Sequence, residues 1–206
     1  MTMGDSTALR ASDALIVVDV QNDFLPGGAL AVEGGDEVVP VLNRYAELFA
    51  SHALPVVATR DWHPETHCSF NDHGGPWPRH CIAGTHGASF SPELQLPEKA
   101  KVISKATRID RDAYSGFEGT ELDEWLSKRS VKRLFIGGLA TDYCVLNTVR
   151  DALNAGYEVM LLLDGIRAVN VHSGDGEKAI AQMVKSGAQA LRYQQLTQDG
   201  LIQASA

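Results

Sequence analysis

The run Ala14-Leu15-Ile16-Val17-Val18-Asp19 places five apolar residues in succession and ends on a carboxylate. A strand with one wet face alternates apolar and polar side chains, whereas a strand apolar on both faces must be covered on both sides. Residues 14–19 therefore predict a fully buried strand. Similar β-rich runs follow at 55–60 (PVVATR), 101–105, 132–138 (KRLFIGG), 157–163 (YEVMLLL) and 188–191. Between them lie stretches of helical periodicity. The first, 36–51, sets Val38, Val41, Leu42, Tyr45, Leu48 and Phe49 on one face, with Asp36 as its cap. Further helices are predicted over 120–129 with Thr120 as cap, over 141–154 with Thr141 as cap and Gly156 as stop, and over 173–186. Strands alternating with helices imply one doubly wound α/β domain, its sheet mostly parallel, about six strands wide and covered by helices on both faces. Its expected span is 14–193, between a polar extension over 1–13 and a tail over 194–206.

Composition narrows the function classes. The 206-residue chain is long enough for one sizeable core. A net charge of −8 without a basic run argues against nucleic acid and anionic membrane as partners. No window approaches the roughly 18 consecutive apolar residues of a membrane helix. Residues 1–12 carry no apolar signal-peptide core, so a cytoplasmic location is expected. Cys68, Cys81 and Cys144 are few, odd in number and widely spaced, which is not a disulfide framework.

In open parallel sheets ligands bind beyond the carboxyl ends of the strands. Asp19 closes the first strand, Asp61 and His63 follow the second, and Lys105 ends the third. Cys144 stands in the first turn of the helix after the fourth. Asp19, following an apolar run, is expected to be desolvated, which raises a carboxyl toward the range of a general base. Cys144 near a helix start is expected to be held as thiolate, with free N–H groups beside it for an oxyanion. Lys105 can pair with either. Taken singly, each has a plain structural alternative: a packed cysteine, a capping aspartate, a surface lysine. Converging on one crevice, they supply nucleophile, base and electrostatic support.

The long segment 61–99 is rich in Gly, Pro and aromatics and holds five of the seven histidines: His63, His67, His73, His80 and His86. Loops of this length in a compact domain are usually functional. Asp61 and His63, two residues apart on extended chain, project to one side, and His80 would complete a carboxylate–imidazole set suited to zinc, iron or manganese. The alternative is a histidine-rich loop whose rings bond to backbone. Cys81, beside His80, reads as packed.

The motifs VDVQNDFLPGGAL (18–30), TRDWHPETHCSF (59–70), WPRHC (77–81), KATRIDRDAYSGFEG (105–119) and GGLATDYCV (137–145) resemble, in order and spacing, those of the nicotinamidases within the isochorismatase-like cysteine hydrolases. The resemblance implies a triad of Asp19, Lys105 and Cys144, and one divalent metal ion, zinc first, at Asp61, His63 and His80, with His67 as a further candidate. It implies a cis peptide at Leu139–Ala140, an oxyanion hole from the Ala140 and Cys144 N–H groups, and a substrate site formed by Phe24, Trp77, Tyr114 and Leu139. The implied activity is hydrolysis of nicotinamide to nicotinate and ammonia within NAD salvage, with pyrazinamide as a second substrate and homo-oligomers as a family habit. Other readings stay open at this point. A metal-bound hydroxide could be the nucleophile, the chain could be a metal-binding or redox-sensing protein, or another small amide or an isochorismate-type vinyl ether could be the substrate.

Overall fold

The computed structural model describes residues 8–196. The parts of the expected extension and tail that fall on 1–7 and 197–206 lie outside the described residues. Six strands form one sheet: β1 (Asp13–Val18), β2 (Val56–Asp61), β3 (Lys101–Lys105), β4 (Arg133–Leu139), β5 (Glu158–Arg167) and β6 (Gln189–Leu191). Their order is β3-β2-β1-β4-β5-β6, and every neighbouring pair is parallel. The helices are α1 (Val38–Ser51), α2 (Leu122–Ser127), α3 (Leu146–Asn154) and α4 (Asp175–Lys185).

Alternation within β1 splits the core into two layers. Leu15 and Val17 face α1, packing in one cluster with Leu42, Tyr45, Phe49 and Phe135. Ala14, Ile16 and Val18 face the other side, with Leu122, Leu126, Val149 and Met183 of α2, α3 and α4. Fully burying an aliphatic side chain stabilises by roughly 1.5–3 kcal/mol, so a central strand with no exposed residue anchors both layers. The chain steps outward from β1 through β2 to β3, then crosses back to place β4 on the other side of β1. The strand order therefore reverses between β1 and β4, and the crevice beyond their carboxyl ends is where this architecture binds ligands.

Some boundaries differ from the sequence reading. A 3-10 turn (Gly35–Glu37) leads into α1, so Asp36 is not its cap. α2 is shorter than expected, although Thr120 Oγ1 does accept the Leu122 N–H. β5 runs on past Leu163 because the polar Asp164 finds partners there: Tyr45 OH donates to its Oδ1 and Tyr193 N–H to its Oδ2. The chain also enters β1 one residue earlier than read, because Arg133 makes a buried ion pair with Asp13 at 2.7 Å.

The helix expected over 141–154 does not begin as an α-helix. Thr141–Val145 forms a π turn that continues into α3, and Thr141 provides no side-chain cap. Between β2 and β3 the chain makes only a short 3-10 turn (Asn71–His73) and isolated bridges, among them His63 with Ile82 and Phe70 with Trp77. Among the described residues no helix is long and apolar enough to cross a membrane.

Candidate active site

Asp19 follows β1 in a left-handed conformation (φ 49°), which breaks the extended run of the strand. Thr59 Oγ1 donates to Asp19 Oδ1 at 2.7 Å. Asp19 Oδ2 lies 2.9 Å from Lys105 Nζ. The Lys105 ammonium is a hub. It also contacts Asp61 Oδ1, donates to Ala113 O at 3.2 Å and lies 3.4 Å from Cys144 Sγ. The sequence-predicted triad is thus one cluster, with Asp61 as a fourth member.

Burial sets the proton affinities. It pushes the Asp19 carboxyl up, and the nearby Asp61 charge adds to this, while Lys105 offsets part of it. For Asp61 the same upward push of burial is outweighed by Lys105 and His63, and its pKa falls below the usual value. Lys105 is pulled down by burial but held well above its ordinary range by its two carboxylates. Cys144 departs from expectation. Burial drives the thiol well up, Asp19 and Asp61 add to that, and Lys105 does not reverse it. A thiol raised in this way needs a base beside it before it can act as a nucleophile.

The π turn shapes the backbone around the nucleophile. Ala140 O accepts from the N–H groups of Tyr143 and Val145, on either side of Cys144. Single π turns within helices recur at functional sites. The Leu139–Ala140 peptide is cis. Leu139 itself is not a pocket residue: its side chain is buried in the α1-side core, and Ala140 and Cys144 reach the cavity instead.

Asp61, His63 and His80, all buried, each bring a ligand atom to within 4.8 Å of the others. Nε2 of His63 is 3.3 Å from Nε2 of His80 and 3.7 Å from Asp61 Oδ2. Each ring's other nitrogen faces a backbone carbonyl: His63 Nδ1 that of Ala106 at 3.2 Å, His80 Nδ1 that of Pro78 at 2.7 Å. With Nδ1 donating to these carbonyls, the two Nε2 atoms are free to turn lone pairs toward one point, an arrangement that suits a cation. Burial, more than any charge, lowers the His63 pKa to about 4, which keeps that ring neutral. This donor set fits a divalent ion with coordination positions left for other groups.

His67 is not brought into the set. It stacks on His63 at 4.2 Å between centroids, with its nitrogens at Ser69 Oγ (2.7 Å) and Arg111 O (3.2 Å). Cys81 is packed in the core, as read.

A partly enclosed cavity, lined by Asp61, His63 and His80 as well as Cys144, joins the two clusters. Phe24, Leu30, Trp77 and Tyr114 also line it. Trp77 Nε1 donates to Tyr114 OH at 2.9 Å, and Tyr143 packs edge-on against Trp77 at 4.9 Å.

Sequence reasoning missed several supporting residues. Gln21 is fully buried: its Nε2 donates to the Asp61 and Ala88 carbonyls, and its Oε1 accepts the Asp61 N–H at 2.8 Å. A lone glutamine two residues beyond an apolar strand was the available signal. Asp112, Ala113, Tyr143 and Val169 also line the cavity, and no local pattern distinguishes them.

Comparison with known proteins follows the same lines. The nicotinamidase of Escherichia coli (strain K12) is 40% identical over 196 residues, covering 85% of this chain and 92% of the relative. A pyrazinamidase of Pyrococcus horikoshii, solved in complex with zinc, superposes with a TM-score of 0.85 at 49% identity, covering 88% of this chain and 99% of its own. The L. infantum protein PnC1, solved in complex with nicotinate, does so with a TM-score of 0.84 at 36% identity, covering 91% of this chain and 96% of its own. A family model described as the isochorismatase domain matches residues 13–195, which is the whole sheet with its helices and both clusters. The chain belongs to the isochorismatase domain family.

Proposed function

We propose that this protein is an amidohydrolase that converts nicotinamide to nicotinate and ammonia through a thioester on Cys144, with Asp19 as base and acid. The observation that carries this reading is the buried meeting of Asp19, Lys105 and Cys144 around one ammonium, with Cys144 lining a cavity that Phe24, Trp77 and Tyr114 also line. Relatives named for nicotinamide and pyrazinamide hydrolysis support the substrate class.

The steps follow from the proton affinities. The raised Asp19 carboxylate accepts the Cys144 proton, and the thiolate attacks the carboxamide carbon. Lys105 faces both charges throughout. The oxyanion rests on the Ala140 and Cys144 N–H groups, and loss of one such donor would cost about 100- to 1,000-fold in turnover. Asp19 then delivers its proton to the leaving nitrogen, ammonia departs and the thioester remains. A water deprotonated by Asp19 attacks the thioester, nicotinate leaves, and the proton returns to the sulfur. Phe24, Trp77 and Tyr114 hold the pyridine ring between them. Asp61, His63 and His80 would hold one divalent ion, zinc in our reading, and that ion would supply a Lewis acid for the ring nitrogen and so orient the amide. The same geometry admits pyrazinamide, whose ring keeps a nitrogen in the corresponding place.

The test is ammonia release from nicotinamide by the metal-loaded protein beside Cys144→Ala of equal metal content. Release by the parent alone supports the reading. Release by both moves the chemistry away from Cys144, and release by neither overturns the substrate.

A further inference from the structure

Asp142 lies two residues before the nucleophile and takes no part in the steps above, yet its carboxylate is fully engaged. Oδ1 accepts the Val169 N–H at 2.9 Å, and Oδ2 accepts the Asn170 N–H at 2.8 Å. One side chain thus grips two consecutive peptide groups of the segment that follows β5. Hydrogen bonds to an ionised acceptor are stronger than neutral ones, and a paired grip also fixes orientation. Val169 lines the cavity, and Asn170 sits in the left-handed region at φ 53°. Asn170 Oδ1 in turn accepts the Gly176 N–H at 2.9 Å, in the first turn of α4. Gly176 tolerates no side chain, because a Cβ there would fall 2.6 Å from Ala168 Cβ.

Three successive residues of the π turn therefore serve one pocket in different ways. Cys144 supplies the sulfur, Tyr143 packs on Trp77 of the aromatic wall, and Asp142 holds the Val169 wall.

We propose that Asp142 is a positioning residue for substrate binding: it clamps the 168–170 segment so that Val169 closes the cavity against the ring of the bound amide. This rests on the nicotinamide reading above. If the clamp sets the wall, its removal loosens ground-state binding more than chemistry, which appears in KM rather than kcat.

The experiment compares the parent, Asp142→Ala, Asp142→Asn and Val169→Ala, each metal-loaded and checked for folding by circular dichroism. Steady-state ammonia release from nicotinamide is measured for each, together with the rate at which iodoacetamide alkylates Cys144. Asp142→Ala is expected to raise KM about tenfold with kcat within about threefold of the parent. Asp142→Asn, which keeps one acceptor oxygen, should fall between them. Val169→Ala should reproduce the KM rise with the clamp intact, which keeps the proposal testable should Asp142→Ala fail to fold. Alkylation should be faster in Asp142→Ala because the cavity is more open.

An unchanged KM in Asp142→Ala and Val169→Ala overturns the proposal. So does a loss in kcat at constant KM, which would place Asp142 in the chemistry itself. If the parent releases no ammonia from nicotinamide, the substrate reading fails instead, and the clamp is judged on alkylation alone: equal rates in parent and Asp142→Ala overturn it.

Discussion

Lys105 Nζ stands 2.9 Å from Asp19 Oδ2, and neither side chain reaches solvent. The pair opposes burial, which by itself pushes the Asp19 carboxyl up and leaves it above its ordinary value. The acid limb of kcat/KM should therefore fall above the usual carboxylate range, since Asp19 must be ionised to take the thiol proton. Lys105→Met removes the one large influence that lowers this pKa, and should move the limb to still higher pH. A pH–rate series on parent and variant checks the direction, and a limb that stays in place or moves down would refute the assignment.

The same shift carries a cost in stability. A carboxyl whose folded pKa lies above its unfolded one contributes stability that is fully present below the unfolded value and is lost as pH rises through the folded one. At neutral pH Asp19 therefore destabilises the fold. Asp19→Asn is expected to raise Tm at pH 7, by about 2–4 °C for each kcal/mol relieved, while removing most of the activity. The gain should shrink as pH falls through the raised folded value and vanish below the ordinary carboxylate range, where Asp19 is protonated in both states. Thermal melts at several pH values alongside ammonia release test both halves.

Gln21 governs where Asp61 points. Its side-chain amide pairs with both the N–H and the C=O of Asp61, and it touches none of the three candidate ligands through their side chains. Gln21→Met, close in volume but unable to make these bonds, should weaken divalent-metal affinity about 10- to 100-fold, the usual effect of losing a group that orients a ligand. Competition against a chelating dye measures it. Affinity equal to the parent's would show that β2 alone positions Asp61.

Gly138 of β4 is paired with Val18 of β1. A Cβ there would lie 2.0 Å from Val18 O, and φ is 130°, a conformation other residues rarely adopt. Both obstacles are backbone, so neither can rotate away. Gly138→Ala should destabilise by about 3 kcal/mol or more, seen as a lower denaturant midpoint. Gly119→Ala, with φ 68° but open space around it, should cost only about 1–2 kcal/mol.

The order of strands and helices, and the side of the sheet on which the chemistry gathers, were legible in the sequence. An apolar run such as 14–18 demands cover on both faces, and alternation with helical periodicity leaves a parallel sheet as the arrangement that provides it. Asp19, Asp61, His63, Lys105 and Cys144 could be placed together because each follows a strand, and parallel strands end on one side. Local pattern could not give the charge state of Cys144. A helix start favours a thiolate, whereas burial and two carboxylates from other strands push the thiol up, and those influences depend on distances through space. The same reason separates His67 from His80, equal in type and neighbourhood along the chain: one ring nitrogen meets Ser69 and the other Arg111 O, leaving none for the shared point. It also removes Leu139 from the pocket and brings in Val169, which Asp142 reaches across the gap between two strands. Periodicity along the chain decides which faces are buried, whereas desolvation, ion pairing and the walls of a cavity belong to groups far apart in sequence, and only the packed structure sets them.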